Sequence, residues 1–147
     1  AIGVAMHEVG HAIQYAEGYK MVRVRNFMVR VCNISSVLLW PLVVIGLLLN
    51  LAVVGGGVAG SICLWSGIGF FGLSVIFNLV TLPVEYNASN RAMQVIQSQN
   101  LLTADEQKGA KAVLNAAALT YVASLMVSVM NLVRFLLVVL SNSKRRD

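Results

Sequence analysis

An all-α membrane protein is the fold class this sequence predicts, on three observations. Of its 147 residues 58% are hydrophobic and 12% charged, whereas a soluble globular domain is roughly 25% charged. Three long apolar runs, 35–54, 61–82 and 116–140, each reach the about 20 helical residues needed to cross a bilayer. The segments between them carry helix signals, an i, i+4 apolar stripe and a capping box. The expected layout is a single membrane-embedded domain over 1–147: a first helix, a transmembrane helical hairpin, an amphipathic helix and a third transmembrane helix.

Residues 1–17 read as one helix without proline, stopped at Gly18. A basic stretch with Lys20, Arg23, Arg25 and Arg30 follows. The run 35–54 has no charge, and Pro41 within it is tolerable in a membrane helix. "GGGVAG" at 55–60 reads as a turn into the second span, 61–82, and the glycines of this hairpin permit close helix contact. Pro83 marks an element boundary, after which 83–100 shows apolar residues at 84, 88, 92, 95 and 96, one face of an amphipathic helix. "TADE" at 103–106 is a capping box, and its helix runs on into the span 116–140. Asn131 and Arg134 lie late in that span, with Arg134 read as snorkelling to the interface, and "SNSKRRD" is a basic membrane flank.

The net charge of +5 comes from lysines and arginines beside apolar runs, as headgroup contact requires, with no aromatic-interleaved basic patch. A lipid bilayer is therefore the expected partner and nucleic acid is not. Cys32 and Cys63 are isolated, have no CxxC spacing and read as reduced thiols. If the hairpin crosses twice, the first helix and the segment after Pro83 share a side carrying Lys20, Arg23, Arg25, Arg30, Arg91, Lys108 and Lys111. The positive-inside rule makes that side cytoplasmic, in a bacterial-type plasma membrane, although the tail's Lys144, Arg145 and Arg146 pull the other way.

The chemistry is concentrated in "MHEVGHAIQ" at 6–14. On a helix, residues four apart return to within about 40° of each other, so His7 and His11 can grip one metal ion. Glu8, about 100° round from His7, can reach a water bound to that ion and act as general base. This HExxH arrangement is that of zinc proteases; the alternative is two histidines sharing a helix face by chance.

A zinc site needs a third protein ligand, and the remaining acids are Glu17, Glu85, Asp105, Glu106 and Asp147. Glu17 has the offset of a third ligand in HExxHxxGxxH sites, where a glycine turns the chain back. Gln14 stands at that glycine's position. A continuing helix carries Glu17 about 9 Å along the axis from His11 and about 120° round, so it reads as a solvated helix end. Asp105 and Glu106 belong to the cap, and Asp147 is terminal. Glu85 remains, just past Pro83 on the side that holds His7. Its alternative reading is a carboxylate at a helix N-terminus, stabilised by the dipole. Ser89, one turn on, offers a hydroxyl that can orient a ligand histidine. Asn87, Asn90 and Arg91 are candidate oxyanion stabilisers near Glu85.

The residues "VAMHEVGHAIQ" at 4–14, "LPVEYNASNRA" at 82–92 and "GAKAVLNAAALTYVA" at 109–123 resemble the YugP-type family of bacterial membrane zinc metallopeptidases. The resemblance implies a membrane-embedded, Zn2+-dependent peptidase with His7, His11 and Glu85 as ligands and Glu8 as base. Relatives carry an N-terminal membrane segment and further residues before the motif, whereas this chain begins six residues before His7; the expectation is an N-terminally shortened piece. Expected substrates are peptides, membrane proteins or membrane-proximal segments.

Two competing readings remain open. An intramembrane protease would bury the HExxH helix in the bilayer, but Gln14, Glu17 and Lys20 oppose that, and no aspartate lies in a later span. A non-catalytic scaffold or assembly subunit with a structural or vestigial metal site would also use the three apolar spans and glycine-rich packing.

Overall fold

The computed structural model describes residues 2–52 and 57–144. They form four helices: α1 (Ile2–Ala16), α2 (Lys20–Ala52), α3 (Gly57–Ser98) and α4 (Ala104–Lys144). The described residues contain no strand. Three helices, α2, α3 and α4, are long and apolar enough to cross a membrane, so the all-α membrane class stands.

The helix ends follow from local chemistry. At the end of α1, Gly18 takes φ of 67°. Tyr19 N–H then donates to Gln14 C=O at 2.9 Å and Gly18 N–H to Tyr15 C=O at 3.1 Å. This is the paired-bond termination that a left-handed glycine allows, and Gly18 stops the helix as its position predicts. Asn100, at φ of 49°, ends α3 in the same way, with Leu101 N–H on Ile96 C=O and Asn100 N–H on Gln97 C=O. The capping box opens α4: Thr103 N–H donates to Glu106 Oε2 at 2.9 Å, and Glu106 N–H points back to Thr103 Oγ1 at 3.5 Å.

Two expected boundaries are absent. The basic stretch from Lys20 is not a separate segment, because α2 runs unbroken from it into the first apolar run. Pro83 lies inside α3 and separates nothing. A proline removes one backbone hydrogen bond, and membrane helices tolerate that loss. The stripe Val84, Ala88, Ala92 and Ile96 continues past it fully buried, and this packing holds the helical path. Gly57–Gly60 of the expected turn are helical, while 53–56 lie outside the described residues, as do the side chains of the basic tail from 142 onward.

The chain divides into two compact units. The first comprises Ala1–Phe27 and Asn78–Ser124. Val22, Val84, Ala88, Ala92, Ile96, Ala110, Leu114 and Ala118 are buried in it, together with the polar Gln14, Glu85 and Ser89. The second comprises Met28–Phe77 and Leu125–Asp147. There Val43, Leu64, Phe135 and Val139 form a core flanked by Leu39, Leu47, Ile68 and Phe71. A Cβ on Gly46 would lie 2.9 Å from Cys63 Cβ, and one on Gly67 would lie 2.9 Å from the Phe135 ring, so glycine does permit close helix contact there. Trp40, Leu48, Ile62, Met126, Met130 and Leu137 are exposed, a surface suited to lipid rather than water.

Candidate metal centre

The centre lies within the first unit, where α1 meets α3. Gly10, inside HEVGH, makes the meeting possible: a Cβ there would fall 2.2 Å from the carbonyl oxygen of Ala88 and 2.9 Å from its carbonyl carbon. The two backbones touch with no side chain between them. His7 and His11 flank Gly10 on α1, and Glu85 precedes Ala88 by three residues on α3. The close crossing thus carries both imidazoles to one buried carboxylate. Seven residues earlier, on the same face of α1, Gly3 lies against Ala110 of α4.

Glu85 is 1% exposed. His7 Nε2 lies 3.0 Å from its Oε2 and His11 Nε2 lies 3.4 Å from the same oxygen. One ligand atom from each of the three residues lies within 4.8 Å of the others. Zinc bound tetrahedrally at 2.0–2.1 Å separates its ligand atoms by about 3.4 Å, so the spacing fits a metal between them. The other imidazole nitrogens face outward to protein partners. His7 Nδ1 is 3.2 Å from Ser89 Oγ, and His11 Nδ1 is 2.9 Å from Gln14 Oε1. An imidazole that offers one nitrogen to a metal and anchors the other in this way is the usual arrangement in metal sites.

The second carboxylate oxygen of Glu85 has a different environment. Arg25 Nη2 lies 2.9 Å from Oε1, a charge contact out of line for a hydrogen bond. Glu85 Oε1 and Arg25 Nε are buried without a hydrogen-bond partner. The carboxylate is therefore divided, with Oε2 toward the histidines and Oε1 toward a guanidinium. The fit to a metal cation rests on Oε2, a buried carboxylate oxygen facing a ring nitrogen of both histidines. The His11 pKa is raised, chiefly by its hydrogen bond to Glu85; burial opposes the shift and the bond to Gln14 reinforces it. Tyr121 of α4 lies near Glu85. Glu8 is exposed on α1.

The structure brings together His7, His11 and Glu85, with Ser89 against His7. It leaves Glu17 out of the cluster: this residue is 58% exposed in the turn after α1 and forms an ion pair with Arg91. Asn87 and Arg91 are engaged beyond Gln14 and, among the described residues, make no hydrogen bond of their own to the cluster. Asn87 Oδ1 accepts hydrogen bonds from Gln14 Nε2 at 2.9 Å and from Arg91 Nε at 2.7 Å. Asn90 is exposed and lines a polar groove of about 300 Å³ with Ser89, Gln94, Lys111 and Asn115. Sequence reasoning missed Arg25, Gln14 and Tyr121 as neighbours of the cluster. Gln14 carried a readable signal, a polar residue one turn after His11 on the same helix face. Arg25 carried none, being one of several basic residues in its stretch. Tyr121 stands in the run 109–123 that carries the family resemblance.

A family model described as "Putative neutral zinc metallopeptidase" matches residues 1–140. Among curated proteins, "Putative membrane protease YugP" of Bacillus subtilis (strain 168) is 43% identical over 142 residues, covering 96% of this chain and 59% of that protein. The chain thus spans less than two thirds of that relative's length. No solved structure matches it.

Proposed function

Because the chain belongs to the family described as putative neutral zinc metallopeptidases, we propose that it is a membrane-bound endopeptidase in which His7, His11 and Glu85 hold zinc and Glu8 is the general base. The observation that carries this reading is the convergence of His7 Nε2 and His11 Nε2 on Glu85 Oε2, at 3.0 and 3.4 Å. Two imidazoles and one carboxylate leave one coordination position open, as in catalytic rather than structural zinc sites.

Zinc held by His7, His11 and Glu85 would supply Lewis acidity and make water more acidic there. The residues of the chain do the rest. Glu8, next to His7 and open to solvent, takes the proton of the attacking water and returns it to the departing amine nitrogen. Tyr121, near Glu85, is the O–H donor we assign to stabilising the carbonyl oxygen as it becomes anionic. Arg25 holds Glu85 Oε1 and leaves Oε2 as the ligand atom. Glu85 lies three residues past the apolar run 61–82, which supports cleavage at the membrane surface and membrane-proximal segments as substrates. The basic residues flanking this half of the sequence support a cytoplasmic face.

Hydrolysis of casein or of a membrane-protein substrate by wild type and Glu8→Gln, at equal zinc content, tests the reading. The expected loss is about 10²- to 10⁴-fold in rate. Equal rates remove Glu8 from the chemistry. Tyr121→Phe should lower kcat by about 10²-fold or more, and an unchanged kcat removes the tyrosine from its role.

A further inference from the structure

Gln14 is fully buried in a place the proposed chemistry does not use, and both ends of its amide have partners. Nε2 donates to the Val84 carbonyl at 2.8 Å and to Asn87 Oδ1 at 2.9 Å. Oε1 lies 2.9 Å from His11 Nδ1.

The orientation of this amide is dictated rather than optional. Turned over, Gln14 would set its oxygen against the Val84 carbonyl, which belongs to the α3 backbone and has no proton to give. Asn87 is not free to adapt either, because Arg91 Nε donates to its Oδ1 at 2.7 Å. A guanidinium has five donors and no acceptor, so Asn87 must present oxygen on that side. Arg91 is itself tied to Glu17. From two groups of unambiguous polarity, a main-chain carbonyl and an arginine, it follows that Gln14 shows oxygen to His11. That oxygen carries no hydrogen, so the hydrogen between them belongs to His11 Nδ1. Glu85 Oε2 is an acceptor as well, but it lies 3.4 Å from Nε2 against 2.9 Å for the Gln14 contact, so the neutral ring keeps its hydrogen on Nδ1 and its lone pair on Nε2.

We propose that Gln14 is a positioning residue: it selects the Nδ1–H tautomer of His11 and so keeps Nε2 open to a metal ion, with the Val84 carbonyl and the Arg91–Asn87 pair setting the direction of its amide. His7 is different. Its partner is the hydroxyl of Ser89 at 3.2 Å, which both donates and accepts and imposes no tautomer. One ligand nitrogen is preset and the other adapts. This inference rests on the metal site proposed above.

The test is ¹⁵N NMR of the metal-free protein with labelled histidine, at a pH where both rings are neutral, joined to zinc affinity measured by chelator competition. The chain has two histidines, and a His7→Ala sample assigns them. The expected result in wild type is a protonated Nδ1 and a bare Nε2 on His11; a proton on Nε2 overturns the proposal. Gln14→Met, close in size and without the amide, should lose the tautomer preference and bind zinc about 10- to 100-fold more weakly. Gln14→Glu keeps an acceptor oxygen for Nδ1 and, protonated, a donor for Val84, and should retain the tautomer. A Met variant that folds and keeps both tautomer and affinity overturns the proposal; if it does not fold, wild type and Gln14→Glu decide. Wild type with Nδ1–H that binds no zinc overturns the metal site and leaves the tautomer assignment standing.

Discussion

Glu85 draws two imidazoles and a guanidinium to a single buried carboxylate, and the consequence is a pH response at His11. Without metal, the bond to Glu85 raises the His11 pKa above its ordinary 6.5. The charged ring therefore stabilises the metal-free fold fully below about pH 6.5, and this contribution is lost as pH rises through the raised value. Zinc needs the neutral ring, so its affinity should increase over that same window. Thermal unfolding and chelator competition across pH 5.5–8.5 check the pair of trends. Zinc affinity that stays flat over this range would contradict the assignment of His11 as a ligand. At this scale the sequence was most informative about the cluster itself. Helical arithmetic pairs His7 with His11, and the shortage of acids singles out Glu85. Arg25 and Tyr121 were illegible because they join through contacts between distant segments, and no periodicity encodes such contacts.

Helix contacts set the next level. The touching of α1 and α3 at Gly10 and Ala88 is the element-scale requirement for the site. Gly10→Ala places a methyl group where the Ala88 carbonyl stands. Since that obstacle is backbone, the helices must separate, at a cost of about 1–3 kcal/mol. Zinc affinity should fall with it. Gly109→Ala is the matched control: Gly109 is exposed in α4, and a Cβ added there would meet nothing within 4 Å. It should gain about 0.5–1 kcal/mol from the better helix former. Chemical denaturation of both variants with zinc titration checks this, and equal losses in the two would contradict the crossing argument. Thr103→Ala should cost about 1 kcal/mol by removing the cap of α4. The capping box and Gly18 were readable because they are local signals. Pro83 is a local signal too, a helix breaker that points to a boundary, but the buried stripe from Val84 to Ile96 decides the outcome.

At the scale of the whole molecule, helix length and bilayer thickness disagree in an informative way. α3 has 42 residues, whereas about 20 helical residues suffice to cross the hydrocarbon core. One helix can therefore supply both a membrane span and a stretch outside the bilayer that carries Glu85. The proposed cytoplasmic face can be checked with a cysteine at Gln99, an exposed position beyond α3, in a background lacking Cys32 and Cys63. A membrane-impermeant maleimide should label it in inverted vesicles and not in intact cells; labelling in intact cells would reverse the orientation.

The central claim is that HEVGH and Glu85, 74 positions beyond His11, make one metal site. Metal content of the purified chain tests it most directly. About one zinc per chain is expected, lost on His7→Ala and on Glu85→Ala and kept on Glu17→Ala. A wild type without stoichiometric zinc, or a Glu85→Ala variant that retains it, would contradict the claim.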